Sequence, residues 1–194
     1  MRHTGKGGSD VHLTPPEILD RLHVVSRDWY DPCPHPRGDV DGLDCGWPEE
    51  IPAYVNPPFS NLGGWTSAVI SHADRGGDVV LLVPARTSQT YWTKAMRAAA
   101  AVHFWTGNTD RGGKIGRRVR FLSPDGKRQA GAPFDVALFT FSRSERFVWS
   151  VTCAIGDVTQ TVPLRSPGAP VSQLVRSGLP TCTAIPTAWR RDKW

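Results

Sequence analysis

The sequence predicts an α/β fold with a mostly parallel sheet, on three observations. Asp78-Val79-Val80-Leu81-Leu82-Val83-Pro84 is an apolar run bounded by turn residues, as expected of a strand covered on both faces in a parallel sheet. Apolar runs and helical stripes alternate from about residue 53 to 105, the strand–helix–strand–helix–strand order of α/β domains. At 194 residues with 39% hydrophobic content, the chain is long and apolar enough to bury one sizeable core.

Taken in order, residues 1–10 are glycine-rich and polar and are expected to form a flexible N-terminus. Thr14-Pro15-Pro16-Glu17 reads as a helix start, with Thr14 as N-cap, Pro15 in the first helical position and Glu17 completing a capping box. Ile18, Leu19, Leu22 and Val25 then follow at helical spacing. Trp29-Tyr30-Asp31 reads as a short strand stopped by Pro32 and Pro34. Residues 34–50 are an acidic, glycine-bearing loop without a dinucleotide fingerprint. A strand ends at Val55-Asn56, and Leu62, Trp65, Val69 and Ala73 form a helical stripe closed by Gly76-Gly77. After the run at 78–84, Tyr91, Trp92, Ala95, Met96 and Ala99 mark a helix capped by Thr87 or Ser88, and Val102–Trp105 a strand. Arg117–Leu122 and Phe134–Phe141 are expected as strands around a Pro124-Asp125-Gly126 turn. Val151–Ile155 reads as an edge strand in a loosely packed C-terminal extension, residues 145–194, which follows a main domain at 11–144.

The chemistry gathers where strands end, because open α/β sheets bind ligands at the carboxyl ends of their strands. Asp31 and Asn56 both fall there. In Asn56-Pro57-Pro58-Phe59, Asn56 offers an amide oxygen as an acceptor, and the two prolines stiffen the backbone so that a carbonyl can face a cavity. Phe59 offers a flat face for stacking. Two acceptors beside an aromatic plate suit an exocyclic amino group on a heteroaromatic ring. The competing reading is a stiffened loop with Phe59 in the core.

The net charge of +5 leans toward a polyanionic partner. Arg111, Lys114, Arg117, Arg118, Arg120, Lys127 and Arg128 crowd one loop-rich segment, with Asp125 the only acid among them. Such a cluster can neutralise several phosphates; a solvated hairpin is the alternative. Cys33, Cys45, Cys153 and Cys182 contain no CxxC pair, and Cys33, His35 and Cys45 lack a fourth ligand at zinc spacing, so no metal is expected. No apolar run approaches the roughly 20 residues of a membrane span, and no signal peptide is visible, so a cytoplasmic protein is expected.

The order of these features resembles the small phage-encoded DNA N6-adenine methyltransferases, the Dam family. The resemblance rests on Thr14-Pro15, Asp31-Pro32-Cys33, Asp41-Gly42-Leu43 with Trp47, and Asn56-Pro57-Pro58-Phe59. It continues through Leu81-Leu82-Val83-Pro84-Ala85-Arg86-Thr87 with Trp92, Gly116-Arg117-Arg118-Val119-Arg120-Phe121 and Ala132-Pro133-Phe134. It spans roughly residues 10–142. It implies a Rossmann-like methyltransferase fold closed by an antiparallel hairpin, S-adenosylmethionine as cofactor and double-stranded DNA as partner. By the same resemblance, Thr14, Pro15 and Asp31 would meet the methionine end of the cofactor, and Pro32 and Cys33 would belong to the cofactor site. An acid among Asp39, Asp41 and Asp44 would meet its ribose, and Asn56, Pro57, Pro58 and Phe59 would form the catalytic motif. Arg86 and the basic segment would contact DNA. The stretch from Asp31 to Asp41 is short for that family and leaves little room for a helix after the first strand. Cytosine N4, a protein glutamine amide, or DNA binding without catalysis are the alternatives.

Overall fold

The run at 78–84 becomes the strand at the centre of the molecule. In the computed structural model, which describes residues 12–36, 41–106, 118–156 and 159–164, every residue of Val79–Pro84 is buried. The elements are α1 (Pro16–Val25), β1 (Ala53–Val55), a 3₁₀ turn (Phe59–Asn61), α2 (Leu62–Asp74), β2 (Val79–Pro84) and α3 (Thr90–Ala98). They continue with β3 (Ala101–Trp105), β4 (Val136–Phe141), α4 (Glu145–Ile155) and β5 (Thr159–Pro163). Side chains alternate across a strand, so Val79, Leu81 and Val83 face one core with α2 and α3, while Val80 and Leu82 face a second core with α1 and α4. The result is a sheet with helices on both faces.

The sheet order is β1-β2-β4-β3-β5, and this corrects the expectation of a mostly parallel sheet. Only β1 and β2 pair in parallel; β2–β4, β4–β3 and β3–β5 are antiparallel. β2 and β3 do run the same way, but β4 lies between them, with Leu82 opposite Leu138 and His103 opposite Leu138 on its other side. An all-apolar strand reports cover on both faces and says nothing about its neighbours' direction.

Other elements shift for local reasons. The 151–155 segment is helix, not an edge strand. Ser144 caps α4 by accepting the Phe147 N–H at 3.4 Å, and Val151 and Ile155 lie one turn apart against Ile18 and Leu22 of α1. The same core therefore reaches past residue 144, and β5 extends the sheet beyond it. The expected capping box does not form. Pro15 occupies the cap of α1, Pro16 its first position, and Glu17 pairs with Arg128 instead. The strand at Trp29–Asp31 is a single parallel bridge from Tyr30 to Ala53. The segment 118–132 is a separate hairpin turning at Gly126 (φ +78°), and it meets the rest at the Leu13–Leu122 bridge. The antiparallel pair at the edge of the sheet far from β1 is β3 with β5, not this hairpin.

The turn from α2 into β2 needs both its glycines. Gly76 has φ +113°, and a Cβ on Gly77 would lie 2.0 Å from the His72 ring.

One buried polar pair ties β5 to the sheet. His103 is fully buried, with its two ring nitrogens 2.6 Å from the Thr140 hydroxyl and 2.8 Å from that of Thr161. Burial lowers its pKa from 6.5 to about 4. A depressed histidine stabilises the fold above its unfolded pKa, and that contribution is lost as pH falls through the folded value. The loss between pH 6.5 and 4 should be about 3 kcal/mol. Thermal unfolding should show a steep drop in Tm over that window, and a shallower one in His103→Gln, which keeps a hydrogen-bonding side chain that does not titrate.

Candidate active site

Tyr30 and β1 run in parallel, and each is followed by a polar residue. The Tyr30 N–H donates to Pro52 at 3.0 Å and the Tyr54 N–H to Tyr30 at 2.9 Å. This register sets Asp31 beside Tyr54 at the carboxyl edge, and Asp31 and Asn56 both line the cleft that opens there. Cys33 joins them, its N–H donating to the Asp31 carboxyl at 2.9 Å and its thiol to the Asn56 carbonyl at 3.3 Å. A cleft of about 580 Å³ opens here, lined among others by His12, Thr14, Asp31, Cys33, Tyr54 and Asn56.

The Asn56 side chain is oriented by its neighbours. Its Nδ2 donates to the His12 carbonyl at 2.6 Å and to the Thr14 hydroxyl at 3.0 Å. A carbonyl can only accept, so the nitrogen must face His12 and the oxygen must face away. That oxygen, Oδ1, is buried and has no hydrogen-bond partner among the described residues. An unmet buried acceptor costs on the order of 1–3 kcal/mol, which sets Asn56 apart from the other polar residues of the cleft lining among the described residues. The Thr14 hydroxyl also meets the Tyr54 phenol at 2.9 Å. Burial raises the Tyr54 pKa far above its ordinary value, so this phenol stays neutral. Thr14 thus serves the site in place of the helix cap that its position suggested.

Pro58 has φ −55° and ψ 129°, and the chain then enters the 3₁₀ turn and α2. Asn61 caps α2 by accepting the Gly64 N–H at 3.2 Å, which fixes where the loop must end. Phe59, half-buried, sits at the junction of the two cores. The His12 ring stacks on it at 5.0 Å and 26°, while Phe121 and Phe134 meet it edge-on at 6.0 and 5.5 Å.

Among the residues expected at a cofactor, Thr14, Asp31 and Cys33 line the cleft, whereas Pro15 and Pro32 are buried behind it. Asp31 is exposed as a residue, yet the cleft wall crowds its carboxyl. That desolvation raises its pKa above the usual carboxylate value, with the Cys33 N–H pulling the other way. Asp41 and Asp44 are exposed and lie outside the cleft lining; the Asp41 carboxylate accepts the Leu43 N–H at 3.0 Å. Their loop is pinned from behind. The Trp47 indole donates to the Gly42 carbonyl at 2.7 Å, and a Cβ at Gly42 would lie 1.9 Å from the Pro32 carbonyl oxygen. Asp39 lies outside the described residues, and no helix forms among those described between Asp31 and β1.

The basic residues separate in the same way. Arg111, Lys114 and Arg117 lie outside the described residues. Arg128 makes a two-pronged pair with Glu17 at 2.9 and 3.0 Å, and Lys127 pairs with Asp125 at 2.9 Å. Arg118 reaches Asp135 at 3.7 Å, and Arg120 donates to the Gln129 carbonyl at 3.2 Å. The exposed Arg86 holds its guanidinium over the Phe134 ring, 5.5 Å from the centroid. It thereby reaches the aromatic cluster that contains Phe59.

Three contributors escape sequence reasoning: His12, Tyr54 and Gln129. His12 precedes the helix and belongs to no periodic pattern. Tyr54 reads as one more strand residue. Gln129, whose side chain meets the His12 ring nitrogen at 3.3 Å, sits 117 positions away and carries no local signal.

Among the described residues no group of three or more His, Cys, Asp or Glu could hold a metal ion, and no helix is long and apolar enough to cross a membrane. No curated protein and no solved structure matches the chain. The family profile described as DNA N-6-adenine-methyltransferase (Dam) matches residues 37–155, more than half of the chain and inclusive of Asn56–Phe59. The stretch that carries His12, Thr14 and Asp31 precedes the matched segment. On that match the chain belongs to the Dam family of DNA N6-adenine methyltransferases, enzymes whose substrate is DNA.

Proposed function

We propose that the cleft binds S-adenosylmethionine and that Asn56–Phe59 presents a flipped adenine of double-stranded DNA to it for direct methyl transfer. The observation that carries this reading is the buried, unpaired Oδ1 of Asn56 at the cleft wall. The residues fit the cofactor. The 580 Å³ cleft falls in the usual range for small-molecule sites. Asp31 is the one acid lining it among the described residues, and its crowded carboxyl suits an ammonium group. A Rossmann-like methyltransferase fold is supported by the parallel Tyr30–β1–β2 edge and by helices on both faces of the sheet.

When bound, the cofactor supplies an electrophilic methyl on a sulfonium sulfur. The chain's own residues do the rest. Because the adenine amino group is paired and stacked in a duplex, the base must leave the stack to reach the cleft. Phe59 takes the base on its face. Asn56 Oδ1 and the Pro57 carbonyl accept its two amino hydrogens, drawing the nitrogen toward tetrahedral geometry and its lone pair toward the methyl. Transfer of that methyl to the amino nitrogen would leave the cofactor as a neutral thioether, and the methylated amino group would release its surplus proton to water. Asn56 is held for this by His12 and Thr14, so little reorganisation is needed in the transition state. Pro58 keeps the loop stiff. Thr14, Pro15, Pro32 and Cys33 shape the wall around Asp31, and Asp41 or Asp44 would meet the ribose only at the rim. Arg86 and the basic hairpin bear on the DNA backbone.

Calorimetric titration should give binding heat with S-adenosylmethionine, and methyl-labelled cofactor should leave label on plasmid DNA and none on bulk protein. Heat without DNA labelling would contradict the DNA step, and no heat would contradict the cofactor site.

A further inference from the structure

Phe59 does not present an open face. The His12 ring lies on it, nearly parallel, at 5.0 Å and 26°. Its other ring neighbours, Phe121 and Phe134, approach at 75° and 76° and leave no parallel plate among the described residues. A base inserted between two rings needs about 7 Å, twice the contact distance of roughly 3.5 Å. The gap of 5.0 Å admits none. His12 also lines the cleft in which Asn56 stands.

We propose that the His12 imidazole is a placeholder for the target base: it covers the stacking face of Phe59 in the free enzyme and must swing out when the base goes in. The inference rests on the reading that Phe59 stacks a flipped adenine. The main chain of this segment is anchored, because the His12 carbonyl accepts the Asn56 amide at 2.6 Å and Leu13 exchanges two 2.9 Å bonds with Leu122. The ring is held more lightly. Among the described residues, beyond its stacking on Phe59 and a tilted contact with Phe121 at 5.6 Å, it has one polar contact, Nδ1 to the Gln129 amide oxygen at 3.3 Å. It can therefore rotate about its own side-chain bonds while its carbonyl keeps Asn56 oriented. One planar heteroaromatic ring exchanges for another, and the apparent affinity for the base is reduced by the stability of the closed state.

An aromatic pair of this kind shifts an equilibrium by roughly 2- to 10-fold. His12→Ala, which keeps the main-chain carbonyl, should therefore lower the KM for DNA roughly 2- to 10-fold. Gln129→Ala, which only loosens the ring, should shift KM the same way by less. An NMR spectrum supplies the direct readout. The His12 ring protons, assigned by their loss in His12→Ala, should carry a ring-current displacement that shrinks in Phe59→Ala, where only the tilted contact with Phe121 remains. It should vanish when the parent is saturated with a DNA fragment that it methylates. An unchanged or raised KM in His12→Ala, or a ring still displaced on bound substrate DNA, overturns the placeholder alone, since methylation has then been seen. A parent that methylates no DNA overturns the reading beneath it as well.

Discussion

Replacing Asn56 by alanine should lower turnover by roughly 10²- to 10³-fold while the protein stays folded. The catalytic loss follows from removing an acceptor that is already aimed and desolvated, so that no other group can take over the amino hydrogen. The folding expectation follows from the same geometry. The substitution breaks two hydrogen bonds, to the His12 carbonyl and the Thr14 hydroxyl, but it also removes a buried oxygen that has no partner among the described residues. These terms oppose one another, and the net change should be within about 1 kcal/mol. Single-turnover methyl transfer and a thermal melt on the same preparation check both halves. A variant that melts like the parent and also methylates like it would show that Asn56 only ties the loop to residues 12–14.

Asp31→Asn should weaken S-adenosylmethionine binding roughly 10- to 100-fold, the range for losing a charge-assisted hydrogen bond. The acidity of Asp31 gives this prediction a second axis. Desolvation raises its carboxyl above the ordinary value. The ionised form is the one that holds an ammonium, so cofactor affinity in the parent should be full near neutral pH. It should fall on acidification, starting above the pH at which an ordinary aspartate protonates. Stability moves in the opposite sense. A carboxyl whose folded pKa is raised favours folding when protonated, so the free enzyme should gain stability as pH drops through that value. Asp31→Asn should flatten both profiles and melt no lower than the parent at neutral pH, since an amide oxygen can still accept the Cys33 N–H. Titration calorimetry and melting curves across the acid range read the two effects separately.

The parts of the molecule legible in the sequence are those where a local pattern and a tertiary demand coincide. The apolar run at 78–84, the α2 stripe and the Gly76-Gly77 stop each state their burial in consecutive residues, and each is found as expected. Asn56 and Asp31 were expected at strand ends, and both do line one cleft at the carboxyl edge. What failed depends on partners far along the chain. The direction of β4 is set by where it inserts between β2 and β3. Residues 151–155 read as an edge strand, but Val151 and Ile155, one helical turn apart, pack on Ile18 and Leu22 of α1, far back in the chain. Thr14 had all the marks of a helix cap, yet its hydroxyl finds Asn56 and Tyr54, some forty positions on. His12 was invisible for the same reason: stacking on Phe59 leaves no trace in the residues around it.

Nucleoside mass spectrometry shows whether this cleft methylates the amino group of adenine. Unmethylated plasmid is incubated with the enzyme and S-adenosylmethionine, digested to nucleosides and compared with a parallel Asn56→Ala reaction. N6-methyladenine should come from the parent and almost none from the variant. N4-methylcytosine in its place, or no methylated nucleoside from a preparation that binds the cofactor, would contradict that expectation.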